Sequence, residues 1–127
     1  MAAGICLAAS ALHAFIAATQ FTLAWTHSIE KIRWEEDYRL ANGRIELVEA
    51  RVRGSGAGME PPAGAALRNG VWHYRPELPP QSALQLARST YTRDYDLCVD
   101  GKCRPLQEWI PVSAGTTTVT SCSQAGQ

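Results

Sequence analysis

The sequence predicts an all-β fold: a single-domain β-sandwich or small barrel of about seven or eight short antiparallel strands, preceded by an apolar N-terminal helix. Three observations carry this. The stretches FTLAWTHSI (Phe21 to Ile29) and IRWEEDYRL (Ile32 to Leu40) alternate apolar and polar side chains, the period of a half-buried strand. Asn42-Gly43 and Asp100-Gly101 suit two-residue type I′ hairpins, whose central positions both need positive φ. No stretch beyond the N-terminal run has a convincing helical period, and a chain of 127 residues suffices for one core but not two.

The N-terminal run comes first. Residues 1–20 carry no charged side chain, and every Lys, Arg, Asp and Glu lies from Glu30 onward. The apolar stretch from Gly4 to Ala18 has the length of a signal-peptide core and falls short of the ~20 residues of a transmembrane helix. Residues 1–19 therefore read as a signal peptide or membrane anchor, with a cleavage point after Ala18, although no Lys or Arg precedes the run. As an anchor, this segment would associate the chain with a membrane.

Residues 20–108 read as the β domain. Phe21, Leu23, Trp25, His27 and Ile29 share one face of the first strand, and Ile32, Trp34, Glu36, Tyr38 and Leu40 share one face of the second. Asn42-Gly43 then turns the chain into Arg44 to Arg53, whose less regular alternation suggests a bulge. Gly54 to Gly64 is a loop, given its glycines and Pro61-Pro62. Gly70 to Pro76 and Ala83 to Thr92 are further strands, and Tyr95 to Val99 pairs with Lys102 to Leu106 in a closing hairpin. Residues 109–127, uncharged beyond Pro111 and poor in large apolar side chains, read as a flexible tail.

Cysteine usage bears on the compartment. In a two-residue hairpin on Asp100-Gly101, Val99 faces Lys102 and Cys98 faces Cys103 at a closely spaced pair. A cross-strand Cys98–Cys103 disulfide follows, which agrees with export to the periplasm or to the extracytoplasmic face of a membrane. The spacing also fits half a metal site, but no second Cys/His pair at ligand spacing completes one. Cys6 falls in the leader and Cys122 is left unpaired. With 12 basic and 12 acidic residues the formal charge is zero, so no nucleic-acid partner is expected.

Two ionisable groups interrupt the apolar face. If Glu30-Lys31 were a two-residue turn, Trp25 would face Glu36, and His27 would be its diagonal neighbour at about 7 to 8 Å. Such groups on an apolar face must pair with each other or with a ligand. Either a structural pair or a small polar pocket would satisfy this. Ser28 adjoins His27 but points to the opposite face, so the two are badly placed as nucleophile and base, and no catalytic set is assigned. His73 joins them in a metal site only if the fold brings it near, and nothing in the sequence does so. Gly54, Gly56 and Gly58 lack the dinucleotide spacing; they make either an anion-holding nest of backbone N–H groups or a close chain reversal.

The order HSIEKIRWEEDYRL, then GSGAGM, then a Gly-containing hairpin resembles the bacterial family catalogued as domain of unknown function 1850, over roughly Phe21 to Leu106. The recurring features of that family fall here on His27, Ser28, Glu36, Gly56 and Gly58. The resemblance implies a small secreted or membrane-linked protein encoded beside tripartite solute transporters with a TAXI-class receptor. It therefore implies an accessory that contacts the permease or its solute-binding protein. The expectation is noncovalent recognition around His27, Ser28, Glu36, Gly54, Gly56 and Gly58, with no cofactor. The alternatives are a small hydrolase or metal-dependent enzyme using His27 and Glu36, or a structural subunit of a membrane complex.

Overall fold

The structure is a computed structural model that describes residues 3–26, 32–53 and 64–123. Eleven strands run through them: β1 (Ala3–Ala9), β2 (Leu12–Ile16), β3 (Gln20–Thr26), β4 (Arg33–Ala41), β5 (Arg44–Arg53), β6 (Ala66–Arg68), β7 (Val71–Tyr74), β8 (Ala83–Leu86), β9 (Asp96–Val99), β10 (Lys102–Pro105) and β11 (Thr117–Ser123). They form two antiparallel sheets, of order β2-β1-β11-β8 and β10-β9-β3-β4-β5-β7-β6. Ile5, Leu7, Val119 and Leu86 from the first sheet and Phe21, Leu23, Tyr38, Ile45 and Leu97 from the second fill one shared core. The expected all-β class holds.

The seven-stranded sheet grows from the alternation of β3 and β4. Trp25 pairs with Trp34, Leu23 with Glu36 and Phe21 with Tyr38, so these side chains face the core while Thr22, Glu35 and Asp37 face outward. This register is two residues away from the one a Glu30-Lys31 turn would impose. Trp25 is a diagonal neighbour of Glu36 in this register, where that turn would have set it directly opposite. A two-residue slip leaves every side chain on its own face, so alternation alone cannot detect it. Asn42 (φ 54) and Gly43 (φ 74) make the expected turn into β5. The expected irregularity in β5 is also present. Tyr38 pairs with Leu47 but Asp37 with Glu49, and the extra residue at Val48 lets both Ile45 and Val52 be buried.

The four-stranded sheet corrects the sequence reading at both ends of the chain. The apolar run expected as a helix forms β1 and β2, joined through Ser10 at φ 53. Ile5, Leu7 and Ala9 alternate into the core at 0, 1 and 3% exposure. The intervening Cys6 and Ala8 are also apolar and hide the period. The segment expected as a mobile tail contains β11, which lies between β1 and β8 and pairs with both. Its small β-branched residues suit a strand whose neighbours supply the bulk, and Thr117 and Val119 are buried. Cys122, expected to be left over, is bonded to Cys6 across 116 residues of chain.

Of the four connections between the sheets, the one from β7 to β8 shapes the region between them. After β7 the chain passes along the far end of β5, where Ile45 and Gln81 exchange two backbone hydrogen bonds of 2.7 Å, and then enters β8. Arg88, fully buried, then donates to both carboxylate oxygens of Asp94 and to Thr117 Oγ1. Asp94 also accepts the Gln107 N–H, so one buried ion pair ties this loop to β11 and to the 3-10 turn at Leu106–Glu108.

Candidate functional site

A cleft of about 500 Å³ opens between the inward face of the larger sheet and the crossover into β8. That volume falls within the usual range of small-molecule sites. Leu23 and Trp25 of β3, Glu36 and Tyr38 of β4 and Leu47 of β5 form one wall, and Tyr95 closes one end. Leu78, Pro79 and Gln81 of the crossover and Leu84 and Leu86 of β8 form the other wall. Strand alternation places the first group, the β-bridge at Ile45 holds the crossover over it, and the pairing of β9 with β3 brings Tyr95 near.

Among the described residues Glu36 is the one charged side chain lining this cleft. It is half-buried, and its Oε1 accepts a hydrogen bond of 2.6 Å from the Tyr38 hydroxyl. Among the described residues no cation pairs with it. Burial, then the hydrogen bond to Glu36, push the Tyr38 hydroxyl well above the ordinary tyrosine range; Tyr74 shifts upward through burial and then the Glu36 charge, and Tyr95 through burial, then the charge of Asp94, then that of Glu36. All three therefore remain neutral at physiological pH. The Trp25 ring stacks on Trp34 at 6.3 Å and meets Tyr95 at 5.9 Å, while Phe21 stacks on Tyr38 at 5.2 Å. These contacts hold the aromatic walls in place.

The outer face of the same sheet carries an ion-pair ladder. Arg51 forks across Asp37 at 2.6 and 2.7 Å and reaches Glu35 at 3.0 Å, and Arg33 bonds Glu35 at 2.9 Å. The Arg51 hydrogen bonds hold the Asp37 carboxyl below its usual range. At Glu35 burial acts upward, but the bonds from Arg33 and Arg51 together outweigh it and leave that carboxyl lowered as well. His73 Nδ1 lies 2.7 Å from Glu49 on this outer side.

Of the residues singled out from the sequence, Glu36 alone is placed by the described structure in the cleft. His27, Ser28, Gly54, Gly56 and Gly58 lie outside the described residues. His73, considered as a companion for Glu36, is on the opposite face of the sheet, because β7 pairs it with Arg51 and not with the inward Val52. No group of His, Cys, Asp and Glu among the described residues is arranged to hold a metal ion. The Cys98–Cys103 bond forms as expected, with Asp100 at φ 53 and Gly101 at φ 78 in the turn. Trp25 and Tyr38 were visible in the sequence as inward residues, but not as cleft walls. Tyr95, Gln81 and Leu84 reach the site through pairings distant in sequence, which no local pattern reports.

Fold and site together define a class: a two-sheet antiparallel β domain, tied by two disulfides, with an aromatic cleft that holds one carboxylate. Two disulfides fit an oxidising, non-cytoplasmic environment, and among the described residues no helix is long and apolar enough to cross a membrane. A family model described as a domain of unknown function (DUF1850) matches residues 21–106, more than half of the chain, and the chain belongs to that family. The match spans β3 to β10 and contains every residue that lines the cleft. Searches of curated proteins and of solved structures found no match.

Proposed function

We propose that this domain is an exported recognition module that works by noncovalent binding in the cleft around Glu36. The observation that carries the reading is the composition of that cleft. Apolar and aromatic walls surround one carboxylate with acceptor capacity to spare, the combination by which small sites bind and orient a ligand. On the family resemblance, its setting is the periplasm or the extracytoplasmic membrane face, beside a tripartite solute transporter, and its partner is the permease or its solute-binding protein.

Affinity purification of the tagged protein from crosslinked native membranes tests this. Transporter subunits are expected with the wild-type chain and are expected to decline with Leu84→Trp, which fills the cleft. Recovery of none, or equal recovery with the filled cleft, would overturn the accessory role.

A further inference from the structure

We infer that the cleft takes a small organic cation, a protonated amine or guanidinium carried on an apolar body. This rests on the reading of the cleft as a recognition site and adds the charge and shape of what enters it.

Three observations converge on that class. First, among the described residues the lining offers a ligand no Lys, Arg or His, and Glu36 sets the sign of the field they make. An anion entering would meet repulsion, while a cation would meet an opposite charge that is half-buried and so less screened than one on the open surface. Second, the described residues use little of Glu36. A carboxylate has room for about four hydrogen bonds, whereas among the described residues the Tyr38 hydroxyl donates one, to Oε1. A half-buried carboxylate of this kind gains most from a charged donor, and an ammonium or guanidinium supplies several N–H groups at once. Third, Trp25, Tyr38 and Tyr95 line the same space. Their ring faces carry negative quadrupole potential and attract a cation in addition to its ion pair, as in other aromatic-walled amine sites. The upward shifts of Tyr38 and Tyr74, in which the Glu36 charge takes part after burial, reflect the same negative local field.

The apolar body is set by the rest of the lining. Leu47, Leu84 and Leu86 add apolar wall to the same cleft, Leu23 lies directly across the β3–β4 pairing from Glu36, and Leu78 is more than half exposed. A ligand would place its charged end on Glu36 among the rings and its hydrocarbon against the leucines. A bare inorganic cation would leave that second surface unfilled.

The test uses three probes of one shape and different charge: 2-phenylethylamine, 2-phenylethanol and phenylacetate, titrated into the full-length oxidised protein by calorimetry at neutral pH. The amine is expected to bind tighter than the alcohol by about tenfold to a hundredfold, the worth of a charged hydrogen-bond partner, and the acid is expected to bind most weakly. Glu36→Gln is expected to bring amine and alcohol to parity. Because that variant could fold less well, the wild-type ranking of the three probes is decisive on its own. Equal binding of amine and alcohol would overturn the cation inference and leave the cleft as a recognition site for neutral ligands. Preferred binding of phenylacetate, or no binding by any of the three, would also overturn it. The accessory role is decided separately by the membrane purification.

Discussion

The bond between Cys6 and Cys122 joins the first strand to the last, and removing it is expected to cost the domain most of its stability. Cross-linking residues 116 apart removes loop-closure entropy from the unfolded chain, about 5 kcal/mol at 25 °C by the chain-entropy relation. The Cys98–Cys103 bond closes a separation of only 5 residues, and the same relation assigns it about 2 kcal/mol. For 127 residues the larger loss corresponds to a fall in Tm of roughly 15 to 20 °C. The assay is urea denaturation of Cys6→Ala/Cys122→Ala beside Cys98→Ala/Cys103→Ala, each with the other bond intact. The first variant is also expected to show a steeper dependence on urea, since its unfolded chain is released from a constraint and exposes more surface. If it lost no more stability than the hairpin variant, the reasoning from loop length would be refuted.

Four further outcomes are expected. Arg88→Met leaves the 10%-exposed Asp94 without its fully buried partner and should cost about 3 to 5 kcal/mol in chemical denaturation, whereas Arg88→Met/Asp94→Leu should recover part of the loss. Glu35 and Asp37 have folded pKa values below their unfolded ones, so the stability they contribute is complete above about pH 5 and is lost as pH falls through the lowered folded values. Arg51→Met should therefore lower stability at pH 7 and flatten the acid limb of a Tm-versus-pH curve; an acid limb as steep as the wild type's would count against the ladder. Gly4→Ala would set a Cβ 2.5 Å from the Phe15 ring and 2.6 Å from the Ile16 carbonyl oxygen, and a loss of about 1 to 3 kcal/mol is expected by thermal melting. A chain beginning at Thr19 lacks Ile5, Leu7 and one of the two strands that pair with β11, and calorimetry should show no cooperative transition; a normal melt would mean that residues 1–18 are dispensable to the fold.

Much of the larger sheet was legible from local chemistry. Alternation from Phe21 to Thr26 and from Arg33 to Leu40 assigned inward and outward faces correctly, and Asn42-Gly43 and Asp100-Gly101 placed two hairpin turns and one disulfide. A third turn of the same kind, Asn69-Gly70 between β6 and β7, carried the same signal and was missed because β6 is only three residues long. The smaller sheet was misread because apolar content was taken for helix where both faces of β1 are apolar. In β11, polar threonines concealed a strand whose burial comes from its neighbours.

Short-range physics is written into the order of residues: which side chains share a face, where φ turns positive, and which cysteines meet across a tight hairpin. Those depend on neighbours a few positions apart, so a single chain discloses them. Pairings across long stretches of chain are different, because they depend on which surfaces remain to be covered once the hairpins exist. Only packing decided that the first and last strands would lie side by side, that Trp25 would sit diagonally from Glu36, and that the crossover at Gln81 would stand opposite that carboxylate and enclose a cleft.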